Sequence, residues 1–144
     1  MALATSAPVR PSWTTAGTHT VAIALYALGG VLLAGEAAVH VQQYASLFHG
    51  VRWIGPLFLA NAAASVAAIA GLAYPRTRPL AALSGVVISA LSLGSLVVSY
   101  GHGLFGWQEA GFRTPVALAV ITEVGAVILL STALTARTAP GQAR

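Results

Sequence analysis

Apolar residues run along this chain in four long blocks, broken by short clusters of glycine, proline and arginine. The blocks extend over about Thr20–Tyr44, Ile54–Leu72, Leu80–Tyr100 and Pro115–Ala136. A bilayer's hydrocarbon core is about 30 Å thick and a helix rises 1.5 Å per residue, so about 20 apolar residues suffice to cross it. Each block meets that length. Backbone N–H and C=O groups in lipid must bond within their own segment, so the blocks are expected to be helices.

The breaks between blocks agree with this division. "FHGVRWIGP" holds Gly50, Arg52, Gly55 and Pro56, and "YPRTRP" holds two prolines and two arginines. "RTP" puts Thr114 at a cap position with Pro115 at the first helical residue. Connections this short make successive helices antiparallel neighbours. The fold expected is all-α, a polytopic membrane protein built as an antiparallel four-transmembrane-helix bundle over residues 20–136. Residues 1–19 and 137–144, rich in Pro, Ser, Thr and Ala, read as flexible tails.

Composition strengthens the membrane reading. Of 144 residues, 57% are hydrophobic and 7% charged, against the roughly 25% charge that a soluble domain needs for a hydrated surface. There is no cysteine, which removes disulfides, thiolate metal sites and thiol redox chemistry. The net charge of +4 comes from arginines scattered singly, without a basic stripe, so nucleic acid is not an expected partner. Arg10, Arg76, Arg78, Arg137 and Arg144 would share one side of the membrane, with Arg52 and Arg113 on the other. That asymmetry predicts a cell-membrane protein with both termini cytoplasmic. Tyr44, Phe48, Trp53, Tyr100, Phe105, Trp107 and Phe112 then gather on the opposite face as an aromatic belt. A cleaved signal peptide would also show Arg10 before an apolar run, but this run continues well past signal length and favours a retained helix.

Against this apolar background the stretch "LLAGEAAVHVQQY" stands out. Glu36 and His40 are four apart, hence stacked on one helical face that continues through Gln43 and Tyr44. Block four carries Glu123 between Ala119 and Ala126, block two Asn61 and Ser65, and block three a stripe of Gly85, Ser89, Ser92 and Ser99. Small residues in such stripes let helices approach closely in lipid. Glu123 lies eight residues beyond Pro115, Asn61 eight beyond Trp53, Ser92 eight before Tyr100 and Glu36 eight before Tyr44. At the helical rise all four fall roughly 12 Å from the outer end, with His40 one turn further out.

A charged carboxylate at a helix centre costs about 2.5–3.5 kcal/mol on insertion scales, so buried acids are functional candidates by default. The binding candidates are Glu36, His40, Asn61 and Glu123, with Gln43, Tyr44, Ser92 and His102 as secondary candidates. The competing reading is structural: Glu36 and His40 hydrogen-bond across helices, satisfied by Asn61 and the serines, and fix the register. The outer segment "GHGLFGWQEAGFR" reads as an interfacial connector, or as a lid with His49 and His102 at its mouth. A Glu-to-His spacing of four falls short of a zinc set, so no metal is assigned, and no cofactor is named.

Three functions stay open. The polar layer binds or conducts a proton, cation or small polar ligand; or the chain is a non-catalytic accessory subunit gripping a membrane-protein partner; or it is a haem- or quinone-linked redox protein. No phosphate-binding loop, nucleophile elbow or paired-histidine motif supports an enzyme. The partners expected are the lipid bilayer and either a second copy of the chain or another membrane protein. Glu and His in the first helix, "GVRWIGPLFLANA", the Arg-Pro connector and "RTP" ahead of a mid-helix Glu together resemble, in outline, small uncharacterised four-helix integral membrane proteins and the DoxX-like group. The resemblance covers most of residues 20–136 and implies a four-helix membrane fold.

Overall fold

The computed structural model describes residues 12–137. The ends of the two expected tails, with the orientation charges Arg10 and Arg144, lie outside the described residues. Four helices make up the described chain: α1 (Ser12–Gln43), α2 (Ile54–Ala73), α3 (Arg78–Gly101) and α4 (Thr114–Arg137), and no strand occurs among the described residues. Each helix is long and apolar enough to cross a membrane. α1 begins ahead of Thr20 because hydropathy marks only the lipid-compatible part of a helix, and no proline interrupts the chain between Ser12 and Phe48.

At its far end α1 passes directly into one π-helical turn, Tyr44–Phe48. Such a turn adds a residue to the helical repeat and re-aims the side chains beyond it. Phe48, expected in a membrane-facing belt, is instead 3% exposed. Its ring stacks on Phe58 of α2 at 4.5 Å and meets Trp107 edge-on at 5.0 Å. Trp53, Phe105 and Phe112 do remain exposed at this end.

The turn is locked to α2 by a close backbone approach at Gly55. A Cβ there would overlap the carbonyl oxygen of Phe48 and come within 3.4 Å of the Tyr44 ring. A backbone oxygen cannot swing aside as a side-chain tip can. Gly55→Ala is therefore expected to destabilise the protein by about 1–3 kcal/mol, read as a lower unfolding midpoint in lipid nanodiscs. An unchanged midpoint would show that the 48–55 turn is slack.

The α2–α3 connector is capped by its own side chains. Helix ends leave carbonyls without intrahelical partners, and here Thr77 Oγ1 donates to Gly71 O at 2.7 Å while Arg78 Nε donates to Leu72 O at 2.8 Å. The Arg78 guanidinium also lies 5.7 Å from the Tyr26 ring centre, and Tyr26 donates to Ala133 O on α4 at 3.4 Å. Arg78 thus ties three helices together in addition to carrying charge.

α1 packs most extensively on α4 and next on α2, and α3 bridges α4 and α2. Glycine makes the closest approaches possible. Leu130 of α4, fully buried, sits against Gly29 of α1 and Gly85 of α3, and Gly125 receives Leu32. Outward positions are as apolar as inward ones: Val31, Leu80, Leu91, Val97 and Ile121 are all exposed. A third or less of each helix's most apolar stretch is buried inside the bundle.

Candidate functional site

The polar groups meet between α1, α3 and α4. Glu36 is fully buried, Glu123 is 1% exposed and His40 is 6% exposed. Each helix brings its contribution by ordinary spacing: Glu36 and His40 are one turn apart on α1, and Ser89 and Ser92 are one turn apart on α3. Ser89 Oγ donates to Glu36 Oε2 and Ser92 Oγ donates to Glu123 Oε1, both at 2.6 Å. These are lengths typical of hydroxyl–carboxylate bonds. His40 Nε2 lies 3.8 Å from Glu123 Oε1 and 3.3 Å from Ser92 Oγ. One donor atom from each of Glu36, His40 and Glu123 falls within 4.8 Å of the other two.

The hydrogen-bond inventory of this centre is incomplete in a directed way. His40 Nδ1 is 2.9 Å from the carbonyl oxygen of Glu36. A carbonyl only accepts, so Nδ1 carries a proton, and in the neutral imidazole Nε2 presents a lone pair toward the acids. The remaining carboxylate oxygens, Glu36 Oε1 and Glu123 Oε2, are buried with no hydrogen-bond partner. Buried polar atoms are normally paired, because leaving one unpaired costs about 1–3 kcal/mol, more when it is charged. Here acceptors converge without enough donors to pair them all.

The layer expected from the sequence is rearranged by about one turn. Glu123 stands level with His40 through their shared neighbour Ser92, and Glu36 is paired with Ser89. Helix tilt and packing set this offset, and a count of residues from each helix end does not contain it. Ser89, read from the sequence mainly as part of a packing stripe and, with the other serines, as a partner of the polar groups under the structural reading, donates directly to Glu36. Asn61 accepts from Ser65 of its own helix at 3.4 Å and lines the pocket wall without a hydrogen bond to either acid. Gln43 is buried on the same wall. Tyr44 packs beside Gly55. His102 and His49 are exposed and line no part of the pocket.

A pocket of about 320 Å³, walled by residues of all four helices, reaches His40 and Glu123 of this centre. Its walls are largely apolar, with His40, Ser92 and Glu123 among the few polar groups beside Phe58. The 102–113 segment borders the pocket at the α3–α4 connection. Leu104–Trp107 forms a tight turn with reciprocal backbone bonds of 2.7 and 2.9 Å, with positive φ at Phe105 and Gly106, as a type I′ turn requires. This fold tucks Leu104, Trp107 and Glu109 into the pocket lining. The Trp107 indole N–H is buried there without a partner, while Glu109 is held in a two-bond pair with Arg113 at 2.9 and 3.1 Å.

No family model matches the chain, and no curated protein and no solved structure matches it.

Proposed function

We propose that this chain is an integral membrane protein, an antiparallel four-helix bundle with both termini cytoplasmic, that binds a cation, a proton included, at a polar centre formed by Glu36, His40 and Glu123. The single observation carrying this reading is the convergence of three buried donor groups from α1 and α4 whose carboxylates retain two unpartnered oxygens. Membrane insertion is supported by outward faces as apolar as the interior, since a water-soluble bundle hides its apolar stripe. The antiparallel arrangement is supported by the α1–α4 contacts, in which 26 meets 133, 29 meets 130, 32 meets 125 and 35 meets 122.

In low-dielectric surroundings two carboxylates cannot both stay charged without a counter-charge. No arginine lies near the middle of a described helix, so the compensating charge is a proton, on a carboxyl or on His40, or a bound cation. Ser89 and Ser92 orient the carboxyls, and the pocket past Phe58 supplies the route. The test uses protein reconstituted in lipid vesicles, with proton and cation uptake followed by an internal dye and by equilibrium binding. Wild type is expected to respond, and Glu36→Gln and Glu123→Gln each to lose the response. A response that survives both changes removes these residues from the function.

A further inference from the structure

We propose that Glu36, His40 and Glu123 bind one divalent transition-metal ion of the Zn²⁺ type. This rests on the cation-binding reading above and narrows it to one chemical class.

Donor chemistry selects the class. An all-oxygen cage of six to eight ligands is what Ca²⁺ requires, and Mg²⁺ keeps most of its waters. Imidazole nitrogen together with carboxylate oxygen suits zinc and its first-row neighbours. Local spacing pairs only Glu36 with His40; Glu123, a candidate by its depth, is brought beside them by the packing of α4.

Geometry agrees with the chemistry. Ligand bonds of 2.0–2.2 Å in a tetrahedron put donor atoms roughly 3.4 Å apart. His40 Nε2 and Glu123 Oε1 are 3.8 Å apart, and all three donors lie within 4.8 Å of one another. Serine partners and the Glu36 carbonyl complete the arrangement. Metal-ligating histidines characteristically donate their other ring N–H to a carbonyl or carboxylate, which fixes the tautomer and aims the lone pair; His40 Nδ1 does this to Glu36 O at 2.9 Å. Ser92 spends its one proton on Glu123 Oε1 at 2.6 Å, leaving Nε2 without a competing donor. Ser89 does the same for Glu36 Oε2.

Charge gives the stoichiometry. Two carboxylates and a neutral imidazole sum to minus two, which one divalent ion cancels. A monovalent ion leaves a net charge in the interior, at the cost that buried charge carries. Two protons also cancel it, and the experiment separates these cases.

The full-length protein, purified in detergent and stripped with chelator, is titrated with Co²⁺, whose visible d–d bands report a tetrahedral site, and then with Zn²⁺ as competitor. Metal content is measured independently by elemental analysis. One ion per chain is expected, with Zn²⁺ displacing Co²⁺. Glu36→Gln, His40→Gln and Glu123→Gln, near-isosteric changes, should each weaken binding about 100-fold or more, beyond the 10–100-fold typical of outer partners alone. His102→Ala and His49→Ala, at exposed positions, should bind as wild type does. Absence of Co²⁺ bands in wild type, or binding that survives all three centre variants, overturns the metal assignment. If vesicles still take up protons or monovalent cations while no metal binds, the metal is wrong and the broader cation-binding reading stands. If no cation of any kind is bound or moved, both fall.

Discussion

Glutamine at both Glu36 and Glu123 is expected to yield a protein that unfolds later than wild type in cation-free buffer and that no longer binds cations. The two effects have one origin. Glutamine keeps the carbonyl oxygen that accepts from Ser89 or Ser92 at 2.6 Å, but removes an acid whose burial, as a charge or through uptake of a proton, costs about 2.5–3.5 kcal/mol per site on insertion scales. Part of that cost is already relieved by the serines, so a gain on the order of 2 kcal/mol for the double variant is expected. Function is bought with this stability, as at many sites that concentrate like charge. The acids belong to different helices yet share one centre, so their effects should not add. Each single change should abolish most cation binding, and the double change should worsen it little further. Unfolding in nanodiscs with and without cation measures both quantities. A double variant that unfolds earlier than wild type without cation would show that the carboxyls serve helix packing instead.

The second large effect concerns the packing that holds those helices in register. Gly29 of α1 leaves the space that Leu130 of α4 fills, and a Cβ at position 29 would overlap the Leu130 side chain, coming within 2.8 Å of its Cγ. Gly85 of α3 makes the opposing wall, where an added Cβ would be 2.7 Å from Leu130 Cδ1 and 3.0 Å from Leu33 Cδ1. Helices in lipid gain nothing from hiding apolar surface from lipid tails, so close packing of this kind carries much of their association. Gly29→Leu is expected to cost about 3 kcal/mol, the upper end for overpacking, because there is no empty volume on either side. Leu130→Ala alone leaves a cavity and also destabilises. Combined, the two changes exchange large for small across the same contact and should recover at least half of the Gly29→Leu loss. Failure of the second change to restore any stability would mean that position 29 acts through α1 itself and not through its seat on α4.

These two experiments probe different layers of the same design. Gly29 and Leu130 set how α1 rotates and slides against α4, and that setting determines whether Glu123 faces His40. A shift of one helical turn moves a side chain about 5.4 Å, more than the 3.8 Å that separates His40 Nε2 from Glu123 Oε1. Stability changes at the glycine contact should therefore carry over to cation binding, whereas changes at the serines act on the carboxyls directly.

Much was legible in the sequence because it is local. Runs of apolar residues long enough to cross a bilayer's hydrocarbon core, with Gly, Pro and Arg between them, are enough to define four helices, since hydropathy and backbone hydrogen bonding act segment by segment. The stacking of Glu36 on His40 follows from helical period alone, and the burial cost of an acid marks Glu123 as a residue needing a reason. What period and composition do not carry is rotation about each helix axis and sliding along it. Those were decided by Gly29, Gly85 and Gly125 meeting Leu130 and Leu32, which set Glu123 level with His40, and by the π-helical turn at Tyr44–Phe48, which sent Phe48 inward. Ser89 became a partner of Glu36, while Asn61, equal to it by depth, stayed on the pocket wall. Sequence by itself determined which segments are helical and apolar enough to lie in lipid; tertiary packing alone decided which polar side chains meet, because contacts between helices depend on interlocking shapes contributed by residues far apart in the chain.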